Sequence, residues 1–83
     1  MRLLRLGDNA YMLETPSGAL LFSYELPAAV RVQNAVFRNP AAPLSIATRA
    51  HLQRFAPGRL PPVLGARQFA ELTRKVLNGG LYD

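Results

Sequence analysis

An 83-residue chain with ten Lys and Arg against five Asp and Glu, a net charge of +5 and no cysteine reads as one small basic domain. No disulfide or thiolate metal site supports it, and a chain of this size buries roughly 60–65% of its unfolded surface. Its longest apolar run, Ala19 to Phe22, is far short of the roughly 20 residues a spanning helix needs, so no membrane partner is expected.

The first half alternates with a period of two, the mark of strands. Arg2–Leu6 is the first, and Arg5 breaks it before a signal-peptide core forms, so a cytoplasmic location is expected. Gly7-Asp8-Asn9 turns the chain. Tyr11, Leu13 and Thr15 then alternate with Ala10, Met12 and Glu14. Pro16-Ser17-Gly18 is a hairpin turn, because proline presets the first turn dihedral and glycine accepts positive φ. Leu20, Phe22 and Tyr24 alternate with Leu21, Ser23 and Glu25, and Pro27 sets an edge or a bend.

A further hairpin is expected from Ala29–Val32 and Ala35–Arg38 around Gln33-Asn34. A two-residue loop there opposes Val32 to Ala35, Val30 to Phe37, Arg31 to Val36 and Ala29 to Arg38. Arg31 and Arg38 then share one face as diagonal neighbours about 7–8 Å apart. They are either two solvated side chains or half of an anion site.

Residues 39–44, with Pro40 and Pro43, form a connector. Ser45 or Thr48 caps a short helix over 45–56, with Thr48, Leu52 and Phe55 on one side, Arg49, Gln53 and Arg54 on the other, and His51 at the border. Residues 57–65, with Pro61-Pro62, are an extended apolar segment, a lid across the sheet or a docking ridge; the need for burial favours the lid. The last helix spans 66–77, with Phe69, Leu72, Val76 and Leu77 as its apolar stripe and Arg67, Glu71 and Lys75 spaced to pair along the opposite face. Asn78-Gly79-Gly80 stops it, and residues 78–83 are a tail. The expected fold is α+β: an antiparallel sheet of four or five strands with two helices packed on one face.

The charge distribution carries more than any motif. From Leu26 to Ala70 there is no Asp or Glu, yet Arg31, Arg38, Arg49, Arg54, Arg59 and Arg67 lie there. Their counter-charges are expected from ions, the flanking segments or a partner. Arginine offers a planar fork of donors suited to phosphate and carboxylate, so Arg31, Arg38, Arg49, Arg54 and Arg59 are the candidate partner-binding residues. A GC-rich genome is the other source of such a bias. Nearly half the residues are hydrophobic, which in a small domain leaves apolar surface for a partner or a homo-oligomer.

Catalytic chemistry is thin. His51 is the single histidine, no carboxylate lies within a helical turn of it, and no metal site or other cofactor is expected. A Ser–His–acid set would draw on Ser17, Ser23 or Ser45, with no acid near His51 in sequence to orient the ring. Gly79-Gly80 follows a helix rather than opening one, so it is no phosphate loop. The expectation is a protein that is not an enzyme.

Asp8-Asn9, Tyr11, Leu13-Glu14-Thr15, Gly18, Phe22-Ser23-Tyr24, Pro27-Ala28-Ala29 and Phe37 stand in a recognisable order, continued by Ser45, Thr48, His51-Leu52 and Phe55. Over about residues 3–55 this resembles a family of small domains carried by phages and mobile elements. The chain departs from it at Ala47, where a second Thr is usual, and in being rich in Arg rather than Lys. No catalytic residues are established for that family. The resemblance implies a short phage accessory gene, and such proteins mostly act by binding. The expected partner is a host protein or ribonucleoprotein complex with an acidic or phosphate-bearing surface, and the expected effect is inhibition of a nucleic-acid-targeting defence system, as anti-CRISPR proteins do. Direct nucleic-acid binding is the alternative, and a self-assembling structural phage component is a third.

Overall fold

The computed structural model describes residues 1–81. Five antiparallel strands, β1 (Arg2–Gly7), β2 (Ala10–Thr15), β3 (Gly18–Ser23), β4 (Leu26–Val32) and β5 (Ala35–Arg38), are followed by α1 (Ile46–Phe55) and α2 (Ala66–Leu81). The strands lie in chain order β1-β2-β3-β4-β5, a meander of short hairpins, and the fold is α+β.

Local chemistry accounts for the turns. Pro16 and Ser17 form a two-residue turn closed by Thr15 and Gly18, and Gly18 has φ 154°, a conformation that disfavours any side chain. Asn9, Tyr24 and Gln33 take left-handed φ near 60° at the other three turns. The β4–β5 hairpin has the expected register in all four pairs. Pro27 is accommodated by a bulge. Leu21 pairs with Ala29 and Phe22 with Pro27, so Ala28 is the extra residue. Asn39 secures that bulge: its N–H donates to the Ala28 carbonyl at 2.9 Å and its side-chain amide to the Pro27 carbonyl at 2.8 Å.

The helices do not share a face of the sheet, as the sequence suggested; they cover opposite faces. Leu52 and Phe55 of α1 pack with Ala19, Leu21 and Ala29 on the front face. Phe69 and Val76 of α2 pack with Leu20 and Val30 on the back face. The cause is the run Ala19-Leu20-Leu21-Phe22. It makes both faces of β3 apolar, and each needs its own cover. Full burial of Leu20 or Leu21 contributes about 1.5–3 kcal/mol each, so a one-sided sheet would forfeit several of these.

Residues 57–65 carry the chain between the two faces, and they form no lid across the sheet. They run along the outer edge of β5. The Arg38 N–H donates to the Pro62 carbonyl at 2.8 Å, the Leu64 N–H donates to the Arg38 carbonyl at 3.3 Å, and Val63 makes a parallel bridge to Arg38. Unpaired edge groups draw the segment there, and its prolines keep it extended. The last helix does not stop at Leu77 but runs through Gly79-Gly80 to Leu81. Glycine lowers helix propensity by about 1 kcal/mol yet keeps its N–H, so it weakens the ladder without breaking it. The tail expected over 78–83 is therefore helical as far as Leu81, and Tyr82 and Asp83 lie outside the described residues.

Candidate functional site

Helix α1 presents two dissimilar sides. The Ser45 hydroxyl caps it, accepting the Thr48 N–H at 3.1 Å. Thr48, His51, Leu52 and Phe55 are buried beneath it. The Ser23 hydroxyl on β3 reaches up to this side, 3.0 Å from Thr48 Oγ1 and 2.8 Å from His51 Nδ1, and the Ser45 hydroxyl donates to Thr48 Oγ1 at 3.1 Å. Three hydroxyls and an imidazole thus form one chain of hydrogen bonds linking the sheet to the helix cap. Beside it lies a cavity of about 230 Å³ walled by Ser23, Tyr24, Leu26, Ala42, Pro43, Ser45 and Thr48.

Of Ser17, Ser23 and Ser45, which the sequence offers as partners for His51, the fold brings Ser23 to it. No carboxylate hydrogen-bonds to His51 among the described residues, and no group of three or more His, Cys, Asp or Glu gathers there. What this arrangement does is anchor α1: a buried Ser, Thr and His satisfy one another, and the Tyr24 ring closes over the imidazole at 5.9 Å.

The outer side of α1 is built from Ile46, Arg49, Ala50, Gln53 and Arg54, the i, i+3, i+4, i+7, i+8 positions of one helical face. All are exposed, and Ile46 stands out as a large apolar side chain 89% open to solvent. The first turn carries no acid. Gln53 exchanges hydrogen bonds with the backbone of Gly58, at 2.8 Å to its carbonyl and 3.3 Å from its N–H. This pins the turn after α1, so the exposed Arg59 follows immediately beside the helix end.

The five candidate arginines separate into two groups. Arg31 and Arg38 do share the front face, but the end of α1 meets Arg31 and the segment along the β5 edge meets Arg38. Arg31 donates to the Phe55 carbonyl at 3.3 Å, contacts Met12 Sδ at 3.7 Å and stacks 5.0 Å above the Phe55 ring. Arg38 Nε donates to the Pro61 carbonyl at 2.6 Å. Arg54 reaches back to the Leu6 carbonyl, across a space left open by Gly7, where a Cβ would meet its guanidinium. For these three, backbone carbonyls of the chain itself supply the dipoles that the sequence assigned to ions, flanking segments or a partner. Arg49 and Arg59 are exposed and make no side-chain hydrogen bond to the described residues.

No acid forms an ion pair with an arginine of α1 among the described residues. Among the described residues the ion pairs are Arg2–Glu14 and Arg5–Asp8, both at the β1–β2 end of the sheet. Arg67, Glu71 and Lys75 occupy the exposed side of α2 as their spacing predicts, without closing into ion pairs. Sequence reading missed Ile46, since an isoleucine at the first position of a helix gives no sign of which way it faces. No family model, curated protein or solved structure matches this chain.

Proposed function

We propose that this chain is a non-catalytic binding protein that docks the outer face of α1 and the turn after it onto an acidic surface of a macromolecular partner. One observation carries the reading: Ile46 and Arg49 are exposed one helical turn apart on the outer face of α1, and the exposed Arg59 follows the turn after that helix, all three within the acid-free stretch. An exposed apolar side chain on the same face as guanidinium groups that bond to none of the described residues is the composition of a protein interface, in which Arg supplies planar donors and the apolar group supplies desolvated contact.

A protein partner fits better than bare nucleic acid. Phosphate offers nothing to Ile46. Phe22, Phe37, Phe55 and Phe69 are packed into the two cores, and the exposed Tyr11 and Tyr24 belong to the sheet and its turn rather than to the outer face of α1, so no aromatic platform for stacked bases accompanies Arg49 there. The resemblance to phage-borne domains directs the search to a host complex, and inhibition of a nucleic-acid-targeting defence system is the activity to assay first.

The test is a double charge reversal, Arg49→Glu with Arg59→Glu, with Ile46→Asp as an independent variant. Their side chains make no hydrogen bond to the described residues, so the variants keep the native circular dichroism spectrum. Binding to the partner falls by more than tenfold in each. Unchanged affinity in both folded variants contradicts the reading. Arg54 is left intact because it ties α1 to β1.

A further inference from the structure

The two edges of the sheet are treated differently. The β5 edge is short and closed by residues 61–64, with two prolines and a parallel bridge. The β1 edge has six residues and no proline, and no strand or loop among the described residues pairs with its outer side. Natural sheets blunt such an edge because it is a template for another strand.

The pairing pattern identifies which groups are free. The turn at Pro16-Ser17 closes on the Thr15–Gly18 pair, and hydrogen-bonded pairs alternate from there. The Tyr24 N–H donation to the Asn9 carbonyl at 2.7 Å, flanking the Ala10–Ser23 pair, agrees with that alternation. Met12 and Glu14 therefore bond toward β1, to their partners Leu4 and Arg2. The backbone N–H and C=O of Leu3 and Arg5 point away from the sheet. Leu3 is also 63% exposed, an apolar side chain at the centre of the open edge.

We propose that β1 pairs antiparallel with β1 of a second copy of this chain, joining two five-stranded sheets into one. Charge argues for this occupant. The whole chain carries +5, so most surfaces of two copies repel. The β1–β2 lip is the least charged surface of the sheet: Arg2 is paired with Glu14 and Arg5 with Asp8, so that only the Met1 ammonium is left uncompensated there. A two-fold axis at Leu3 sets Leu3 against Leu3 of the second copy, Arg2 against Leu4 and Arg5 against Met1. The outward groups of Leu3 and Arg5 all find partners, and no two arginines stand directly opposite.

Sedimentation equilibrium of the full chain across 5–500 µM, with amide hydrogen exchange, tests this. The wild type is expected to dimerise within that range and to stay dimeric in 0.5 M NaCl, with the Leu3 and Arg5 amides protected only in the dimer. Leu3→Lys, which places a charge on the edge, is expected to be folded and to shift the dimerisation midpoint at least tenfold higher. A second variant, Leu3→Pro, removes an outward N–H and no β1–β2 bond, and is expected to do the same. A wild type monomeric at 500 µM, a dimer unchanged in Leu3→Lys, or a dimer whose Leu3 and Arg5 amides exchange freely overturns the proposal.

Discussion

Arg31 sits over Phe55: its guanidinium lies 5.0 Å from the ring centroid and donates to the same residue's carbonyl at 3.3 Å. One side chain of β4 thereby holds both the last aromatic of α1 and the end of its backbone. The contact is part-buried, where a cation–π pair is worth more than at an open surface.

Arg31→Ala is therefore expected to destabilise the fold by about 1–2 kcal/mol, through the lost ring contact and the unbonded carbonyl. Arg49→Ala is expected to change stability by less than about 0.5 kcal/mol, as surface substitutions without partners do. Urea denaturation of the two variants side by side checks the contrast. Equal effects would mean that Arg31 is no more structural than Arg49.

Ser23 and His51 belong to one hydrogen-bonded chain, so their substitutions will not add. Ser23→Ala leaves Nδ1 of a buried imidazole without a partner and should cost about 1–3 kcal/mol. Ser23→Ala with His51→Leu should cost less than the sum of the two single changes, by about 0.5–3 kcal/mol. A double-mutant cycle by chemical denaturation measures this, and strict additivity would mean that the 2.8 Å contact carries no coupling.

Gly18 is fixed by its backbone. At φ 154° an added Cβ would collide with the Arg31 carbonyl and press on Val76 Cγ2 at 3.0 Å, and neither a β4 carbonyl nor a fully buried valine can give way cheaply. Gly18→Ala should destabilise by at least about 1–3 kcal/mol. Thr15 adds to the sensitivity of this corner, because its hydroxyl donates to the Val76 carbonyl at 2.8 Å and ties the turn to α2. Gly58, with open space where its Cβ would be, is the control: its φ of 114° leaves Gly58→Ala with backbone strain alone, so it should cost less. Thermal unfolding of both variants decides it.

Local chemistry made much of this fold legible. Turn residues fixed the Pro16-Ser17 hairpin, the two-residue loop set all four pairs of the β4–β5 register, and of the two candidate caps, Ser45 and Thr48, it is Ser45 that starts α1. What escaped were relationships across the chain. Alternation along β3 showed a sheet, but Leu20 and Leu21 are both fully buried, and only the paths of α1 and α2 reveal that each face has its own helix. Arg31 and Arg38 were correctly placed on one face. That Phe55 and Pro61 would offer them carbonyls depends on where distant segments lie. The Ser23–His51 contact spans 28 residues and has no local signature. Of the five arginines singled out, this leaves Arg49 and Arg59 with no side-chain hydrogen bond to the described residues.

The decisive measurement is recovery of partners by the tagged protein from a lysate of its native cell, with and without nuclease, comparing wild type with the Arg49→Glu, Arg59→Glu variant. A defined protein complex that survives nuclease, is held by the wild type and is lost by the folded variant is the predicted result. The same complex held equally by both, or recovery that disappears with nuclease, would contradict docking through the acid-free side of α1.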